Sequence, residues 1–112
     1  MYGEANSSNN PLSEQYRLAG LDWAQKNAAA SILEETKTAV LSQRMNALGE
    51  MPTSKAERLI KGTEDWHKYL KGMVDAREAA NLAKVTMEFK RMKYHEWQSM
   101  NASRRAEMRM TG

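Results

Sequence analysis

The chain has 112 residues, no cysteine, and 17 lysines and arginines against 14 aspartates and glutamates, for a net charge of +3. The lack of cysteine excludes a disulfide framework and thiol chemistry, and no apolar run approaches the ~20 residues that would span a bilayer. A hydrophobic fraction of 41% with a mean hydropathy of -0.77 is low for a compact globule. We therefore expect one small domain, without membrane contact, in the cytoplasm.

The first residues are small and polar and predict a disordered tail over residues 1–12, followed by a single helical domain over residues 13–112. Ser13 is placed to cap a first helix, and good helix formers continue to Leu48 before a glycine. Gly20 is the weak point of this helix, and it either costs ~1 kcal/mol or marks a close helix approach. The apolar stripe expected to face the core is broad; it includes Leu18, Leu21, Ala28, Ala29, Ile32, Leu33 and Val40.

A short connector is predicted next. Ser54 with Glu57 three residues later has the pattern of a capping box and predicts a helix that ends at Lys61. Thr63 then caps a last helix that runs without proline to about Met110. Folding the two long helices together about this connector predicts an elongated, antiparallel, coiled-coil-like hairpin, so the expected fold class is all-α.

One face of the last helix carries a heptad pattern that favours packing against the first helix. The face is apolar for four heptads and then turns polar, and we expect the helix to overhang beyond about Trp97. The members of this seam are Trp66, Tyr69, Met73, Ala76, Ala80, Ala83, Met87, Lys90, Tyr94, Trp97, Asn101, Arg104 and Met108.

A second apolar row lies about 160° round the same helix. It consists of Leu82, Val85, Phe89 and Met92. One partner helix cannot cover both faces, so these four residues are the predicted oligomer interface, and the chain itself is a predicted partner. The alternative is a monomer in which the first helix and the connector curl enough to cover both faces.

Basic residues cluster toward the C-terminus, where seven lysines and arginines from Lys84 onward stand against three glutamates. Several of them recur at intervals of seven on one edge of the last helix, ~10.5 Å apart, which could follow a phosphate backbone while an aromatic ring stacks on unpaired bases. The alternative is a solvated edge beside a coiled-coil seam. The candidate nucleic-acid residues are Arg77, Lys84, Arg91, Trp97, Arg105 and Arg109.

Nine methionines offer a second kind of surface. Met100 and Met108 are candidates for an adaptable groove that binds a partner protein, and core filling is the alternative.

Residue patterns typical of catalysis or metal binding are scarce. Glu64 and His67 form a single Glu-x-x-His motif, which is half of the pair that a di-iron site needs. The alternative explanation of Glu64 is that it lies in the first turn of a capped helix. The sequence predicts no catalytic residue, metal ligand or cofactor, and hence a protein that is not an enzyme.

Three stretches carry a resemblance: LSEQYRLAGLDWAQKNAAASILEETKTAVLSQRM, SKAERLIKGTEDWHKYLKGMVDAREAANLAKVTMEF and YHEWQSMNASRRAEMRM. Together they look like the small all-helical proteins of tailed phages and prophages that occur near DNA recombination or replication genes. The resemblance implies a bacterial host cytoplasm and an accessory role linked to DNA, and it implies no active-site residue.

The resulting functional hypothesis is a non-enzymatic phage accessory protein. It would act through protein–protein interaction with a recombination or replication factor or a host nuclease, with DNA contact as an added feature. Two alternatives stay open: a direct nucleic-acid-binding protein that uses the basic C-terminal helix, and a structural component of the virion.

Overall fold

The computed structural model describes residues 11–111, which form three helices and no strand. Helix α1 is Leu12–Asn46, α2 is Thr53–Lys61 and α3 is Glu64–Thr111. The all-α prediction is confirmed, as is the hairpin of two long helices joined by a short one. Residues 1–10 of the predicted tail lie outside the described residues, and Leu12 already belongs to α1.

The helix ends follow local chemistry, with two corrections. Helix α1 begins at Leu12, so Ser13 lies inside its first turn and the prediction that Ser13 caps it is wrong. Beyond α1, Gly49 takes a positive φ of 87°, which glycine adopts without steric cost. Helix α2 begins at Thr53 after Pro52 and has no side-chain cap, so the predicted capping box of Ser54 and Glu57 is wrong. Ser54 lies inside the first turn of α2, and Glu57 pairs with Lys61 at 2.6 Å instead.

The predicted cap of the long helix is confirmed. The Trp66 backbone N–H donates to the Thr63 hydroxyl oxygen at 3.2 Å, and Glu64 and Asp65 stand in the first turn of α3. An oxygen acceptor satisfies a backbone donor that has no partner within the helix, and the two carboxylates favour the positive end of the helix dipole.

The chain divides into two compact units. The turn unit is Lys26–Ala80, which holds the later part of α1, all of α2 and the start of α3. The end unit combines the described parts of Met1–Gln25 and Asn81–Gly112, and so holds the start of α1 and the rest of α3.

In the turn unit the two long helices run in opposite directions past a core of small and aromatic side chains. The Tyr69 hydroxyl donates to the Leu33 carbonyl oxygen at 2.7 Å, and the Arg44 guanidinium lies 5.9 and 5.8 Å from the ring centroids of Trp66 and Tyr69. These contacts fix the register of α1 on α3 in this unit. The buried apolar residues here are Ala30, Ala56, Ile60, Trp66 and Ala80.

In the end unit, members of the predicted seam contact α1. Lys90 donates from Nζ to the side-chain oxygen of the buried Gln15 at 2.9 Å, and the rings of Tyr16 and Tyr94 lie 6.3 Å apart. Ala83 is buried, as is Ala19 on α1. The seam therefore faces α1 in this unit, including its polar member Lys90.

The predicted apolar stripe of α1 proves too broad. Leu21 is 49% exposed and Ile32 is 61% exposed, while Ala28 and Ala29 lie at the surface and only Ala30 of that run is buried. A helix packed against one neighbour buries a narrow stripe, because residues more than about 60° from the contact line point away from it.

Candidate interaction surfaces

The second apolar row of α3 lies at the surface of the end unit. Leu82 is 61% exposed, Val85 67%, Phe89 52% and Met92 64%. We call these four residues the docking face. Because the seam residues of the same helix segment point at α1, and the docking face lies about 160° away, α1 cannot reach it.

Charged side chains border the docking face on both sides. Glu88 lies on one side and pairs with Arg91 at 3.5 Å. Lys93 lies on the other, pairs with Glu96 at 3.8 Å, and places its Nζ 5.6 Å from the ring centroid of Phe89. An apolar strip with charged borders has the layout of a protein-binding helix face.

The C-terminal part of α3, residues 97–111, extends past the contact with α1, and we call it the C-terminal arm. Helix α3 continues for 17 residues after Tyr94, whereas α1 begins only four residues before Tyr16, the residue that Tyr94 contacts. The arm exposes Trp97 (50%), Met100 (53%) and Met108 (72%). The two candidate methionines therefore lie at the surface, and they do not fill a core between α3 and α1.

The candidate basic row separates into two groups. In the turn unit, Arg77 donates to the Glu34 carboxylate at 2.9 and 2.7 Å, to Asn27 Oδ1 at 2.7 Å and to Ser31 Oγ at 3.3 Å. Its guanidinium is therefore used in holding α1 to α3 within that unit. In the end unit, Arg91 has the Glu88 partner described above, and three further members lie exposed, namely Lys84, Arg105 and Arg109.

The aromatic candidate Trp97 sits beside a small polar network. Its ring is 6.4 Å from that of Tyr94 in a stacked arrangement, and the Tyr94 hydroxyl accepts a hydrogen bond from the Gln98 side-chain amide at 3.0 Å. The rings of Tyr94 and Trp97 thus lie together on one face of α3 at the start of the C-terminal arm. A base or an apolar side chain could stack on them there.

Glu64 and His67 have separate local roles. His67 places Nε2 3.1 Å from the Lys61 carbonyl oxygen, and Glu64 lies 3.7 Å from the Lys68 amine. The histidine thus contacts a carbonyl at the end of α2. Within residues 11–111, no group of three or more histidine, aspartate or glutamate side chains is arranged to hold a metal ion.

Two exposed apolar residues of the turn unit were not anticipated from the sequence. Leu59 of α2 is 47% exposed and Val74 of α3 is 59% exposed. A signal was present for both: Leu59 stands beside Ile60, which with Ala56 forms the buried i, i+4 pair of α2, and Val74 directly follows the seam residue Met73. Neighbours of a seam position point away from it.

Across the described residues, no helix combines the length and the apolar character that crossing a membrane requires. Comparisons of the chain with protein-family models, with curated proteins and with solved structures found no match.

Proposed function

We propose that the protein is a non-enzymatic docking protein, whose long helix binds another polypeptide through the docking face. The observation that supports this proposal is the exposure of the docking face, whose four residues are all apolar and are each more than half exposed to solvent. Burying such a strip is favourable by roughly 25 cal/mol per Å² of apolar surface removed from water. An ordered helix that presents it has little conformational entropy left to lose on binding.

The occupant of the docking face is best identified by covalent capture. A photo-reactive phenylalanine analogue at position 89 replaces the ring with little change in shape, and the same analogue at Lys84, on another side of α3, is the matched control. We expect a cross-linked adduct from position 89 and none from position 84. Equal labelling at both positions, or no adduct from position 89, would remove the proposal.

The C-terminal arm supplies the surface for a second partner. Its exposed Met100 and Met108 are unbranched and polarisable, and they adapt to the shape of a bound peptide. Replacing both with glutamate should release a partner held by the arm and leave the adduct at position 89 intact. Retention of every bound protein by this double variant would exclude the arm as a binding surface.

The cellular setting of this proposal rests on the resemblance to phage helical proteins. A recombination or replication factor, or a host nuclease, in the cytoplasm of a bacterial host is the partner class that the resemblance suggests. Detection of the protein in purified virions by mass spectrometry would instead support a structural role in the particle.

A second candidate function is direct contact with nucleic acid, favoured by the exposure of Lys84, Arg105 and Arg109 and by the half-exposed ring of Trp97 on the same helix. Binding should weaken steeply as salt rises, because each neutralised phosphate releases counterions. The triple substitution of Arg91, Arg105 and Arg109 by glutamine should flatten that salt dependence, and Lys71→Gln, at an exposed site in the turn unit, should leave it unchanged. An interaction with no salt dependence would argue against this function.

A further inference from the structure

We infer that the occupant of the docking face is a second copy of the same chain, aligned in parallel, with Glu88 of each copy paired to Lys93 of the other. The inference rests on the proposed function, because it names the partner of the same face. Three features of the end unit support it: the spacing of the apolar residues, the positions of the two border charges, and the way the apolar row ends.

The spacing of the docking face is that of a two-stranded coiled coil. Leu82 and Phe89 occupy a positions, Val85 and Met92 occupy d positions, and the intervals are three, four and three residues. In an in-register parallel pair, each a residue meets its equivalent and each d residue meets its equivalent. A second copy is therefore complementary in both spacing and length, over ~15 Å of helix.

The border charges select the parallel direction. In the heptad that starts with Leu82 as a, Glu88 is a g position and Lys93 is the following e position, five residues later. Parallel coiled coils bring g of one helix beside that e of the other, so a symmetric dimer forms two Glu88–Lys93 pairs. An antiparallel dimer centred on the same four residues would instead bring Glu88 beside Glu88 of the other copy, which is repulsive.

Both charges are available for this exchange. The Glu88 side chain is 47% exposed and lies 3.5 Å from Arg91, and the Lys93 side chain is 49% exposed and lies 3.8 Å from Glu96. Ion pairs this exposed and this long contribute little, so replacing them across an interface costs little. The Lys93 amine is also close to the face already, at 5.6 Å from the Phe89 ring.

The apolar row has a defined end. The next a and d positions are Glu96 and Ser99, which are exposed and polar. Glu96 of one copy would face Glu96 of the other, so the paired segment stops at Met92 and the two helices separate beyond it. The two C-terminal arms of the dimer then remain accessible to another partner.

Charge reversal on the purified full chain tests the pairing. Glu88→Lys and Lys93→Glu should each weaken the dimer roughly tenfold in sedimentation equilibrium, because two symmetric pairs become repulsive at once. The double variant E88K/K93E should restore the wild-type dissociation constant, and Lys84→Glu, at an outer position, should not change it. Circular dichroism verifies that each variant keeps its helix content. Single reversals without effect, or a double variant as weak as the single ones, would overturn the Glu88–Lys93 pairing.

Cysteine cross-linking tests the direction, and the cysteine-free sequence makes single variants unambiguous. Val85→Cys places two sulfur atoms opposite each other in a parallel dimer and should form a disulfide-linked dimer under mild oxidation. Lys84→Cys should remain monomeric on the same gel. Cross-linking only in a mixture of Val85→Cys with Phe89→Cys would indicate an antiparallel pair and would overturn the proposed direction.

Failure of this inference can be told apart from failure of the docking function. If the wild-type chain and its L82E/F89E variant are both monomers at high micromolar concentration, self-pairing is overturned. A photo-adduct at position 89 that contains a different protein would then leave the docking function standing. An adduct that contains only peptides of this chain would support self-pairing, and the lack of any adduct would remove both.

Discussion

Arg77 of α3 donates two parallel hydrogen bonds to the Glu34 carboxylate of α1, at 2.9 and 2.7 Å. The planar guanidinium matches the two carboxylate oxygens, and its remaining donors reach Asn27 and Ser31. Lysine is a single point charge that cannot make this set of bonds. We expect Arg77→Lys to lower the melting temperature measured by circular dichroism. Lys71→Arg, at an exposed site on the same helix, is the control, and equal melting of R77K and wild type would contradict this reading.

The same pair predicts an acid-sensitive contribution to stability. Hydrogen bonds from Arg77 lower the pKa of Glu34 below its ordinary value of 4.5, so the unfolded chain binds this proton more readily than the folded one. The stabilisation is fully present above pH 4.5 and is lost as pH falls through the lower, folded pKa. Glu34→Gln should therefore show a shallower fall in melting temperature between neutral pH and pH 3. The dependence should persist in part, because the hydrogen bond from Arg17 also lowers the pKa of Glu14.

The other member of the pair provides the control for this titration, because Arg77 donates the hydrogen bonds that the Glu34 carboxylate accepts. Arg77→Gln removes the same pair and should flatten the pH profile in the same direction as Glu34→Gln. If Arg77→Gln keeps the wild-type profile, the contribution assigned to the Arg77 pair is excluded.

The Tyr69 hydroxyl should be measurable on its own. It donates to the Leu33 carbonyl oxygen at 2.7 Å and lies 3.3 Å from the Thr36 hydroxyl. Tyr69→Phe removes this group, keeps the ring beside Trp66, and should reduce the free energy of unfolding by about 1 kcal/mol in urea. No change in Tyr69→Phe would mean that water replaces the bond without loss.

Adjacent alanines on α1 separate packing from helix propensity. Ala30 has no exposed surface, whereas Ala29 lies at the surface. Ala30→Leu should destabilise the fold by about 1–3 kcal/mol because the added carbons have no space. Ala29→Leu should stay within about 0.5 kcal/mol of wild type. Similar values for both variants in urea unfolding would contradict the observed register of α1.

Two glycines should respond to alanine in opposite directions. A Cβ on Gly20 would lie 3.7 Å from the Met87 sulfur, an ordinary contact distance, so Gly20→Ala should stabilise the protein by about 0.5–1 kcal/mol. Gly49 has open space around it but a φ of 87°, so Gly49→Ala should destabilise by about 1–2 kcal/mol. A loss of stability in Gly20→Ala would show that the helices need a closer approach than the structure has.

Local sequence signals located the helices well. The Thr63 cap, the turn that contains Gly49 and the long stretch without proline each act within a few residues, so they could be read without knowing the fold. The Ser54 and Glu57 pattern failed for a related reason. Pro52 fixes its own φ near -57° and starts α2 at Thr53, so Ser54 falls inside the helix and cannot cap it.

For the candidate site, too, local patterns predicted some features and missed others, as the docking face and Arg77 illustrate. Heptad spacing identified Leu82 and Phe89 as a second apolar row, and the structure describes both as exposed. The row also predicted a homo-oligomer, which stays a prediction. Residue spacing could not predict the role of Arg77, because its partner Glu34 is 43 residues away along the chain.

The sequence by itself determined that the chain is helical, where its helices begin and end to within about two residues, and which face of α3 meets α1, because capping and heptad periodicity are local properties. Only the tertiary structure decided that Leu21 and Ile32 stay at the surface, that Lys90 joins the packed seam through Gln15, and that Arg77 is held by Glu34. Those outcomes depend on the register and reach of one helix against the other, which bring together residues far apart in the chain, and no local pattern encodes that distance.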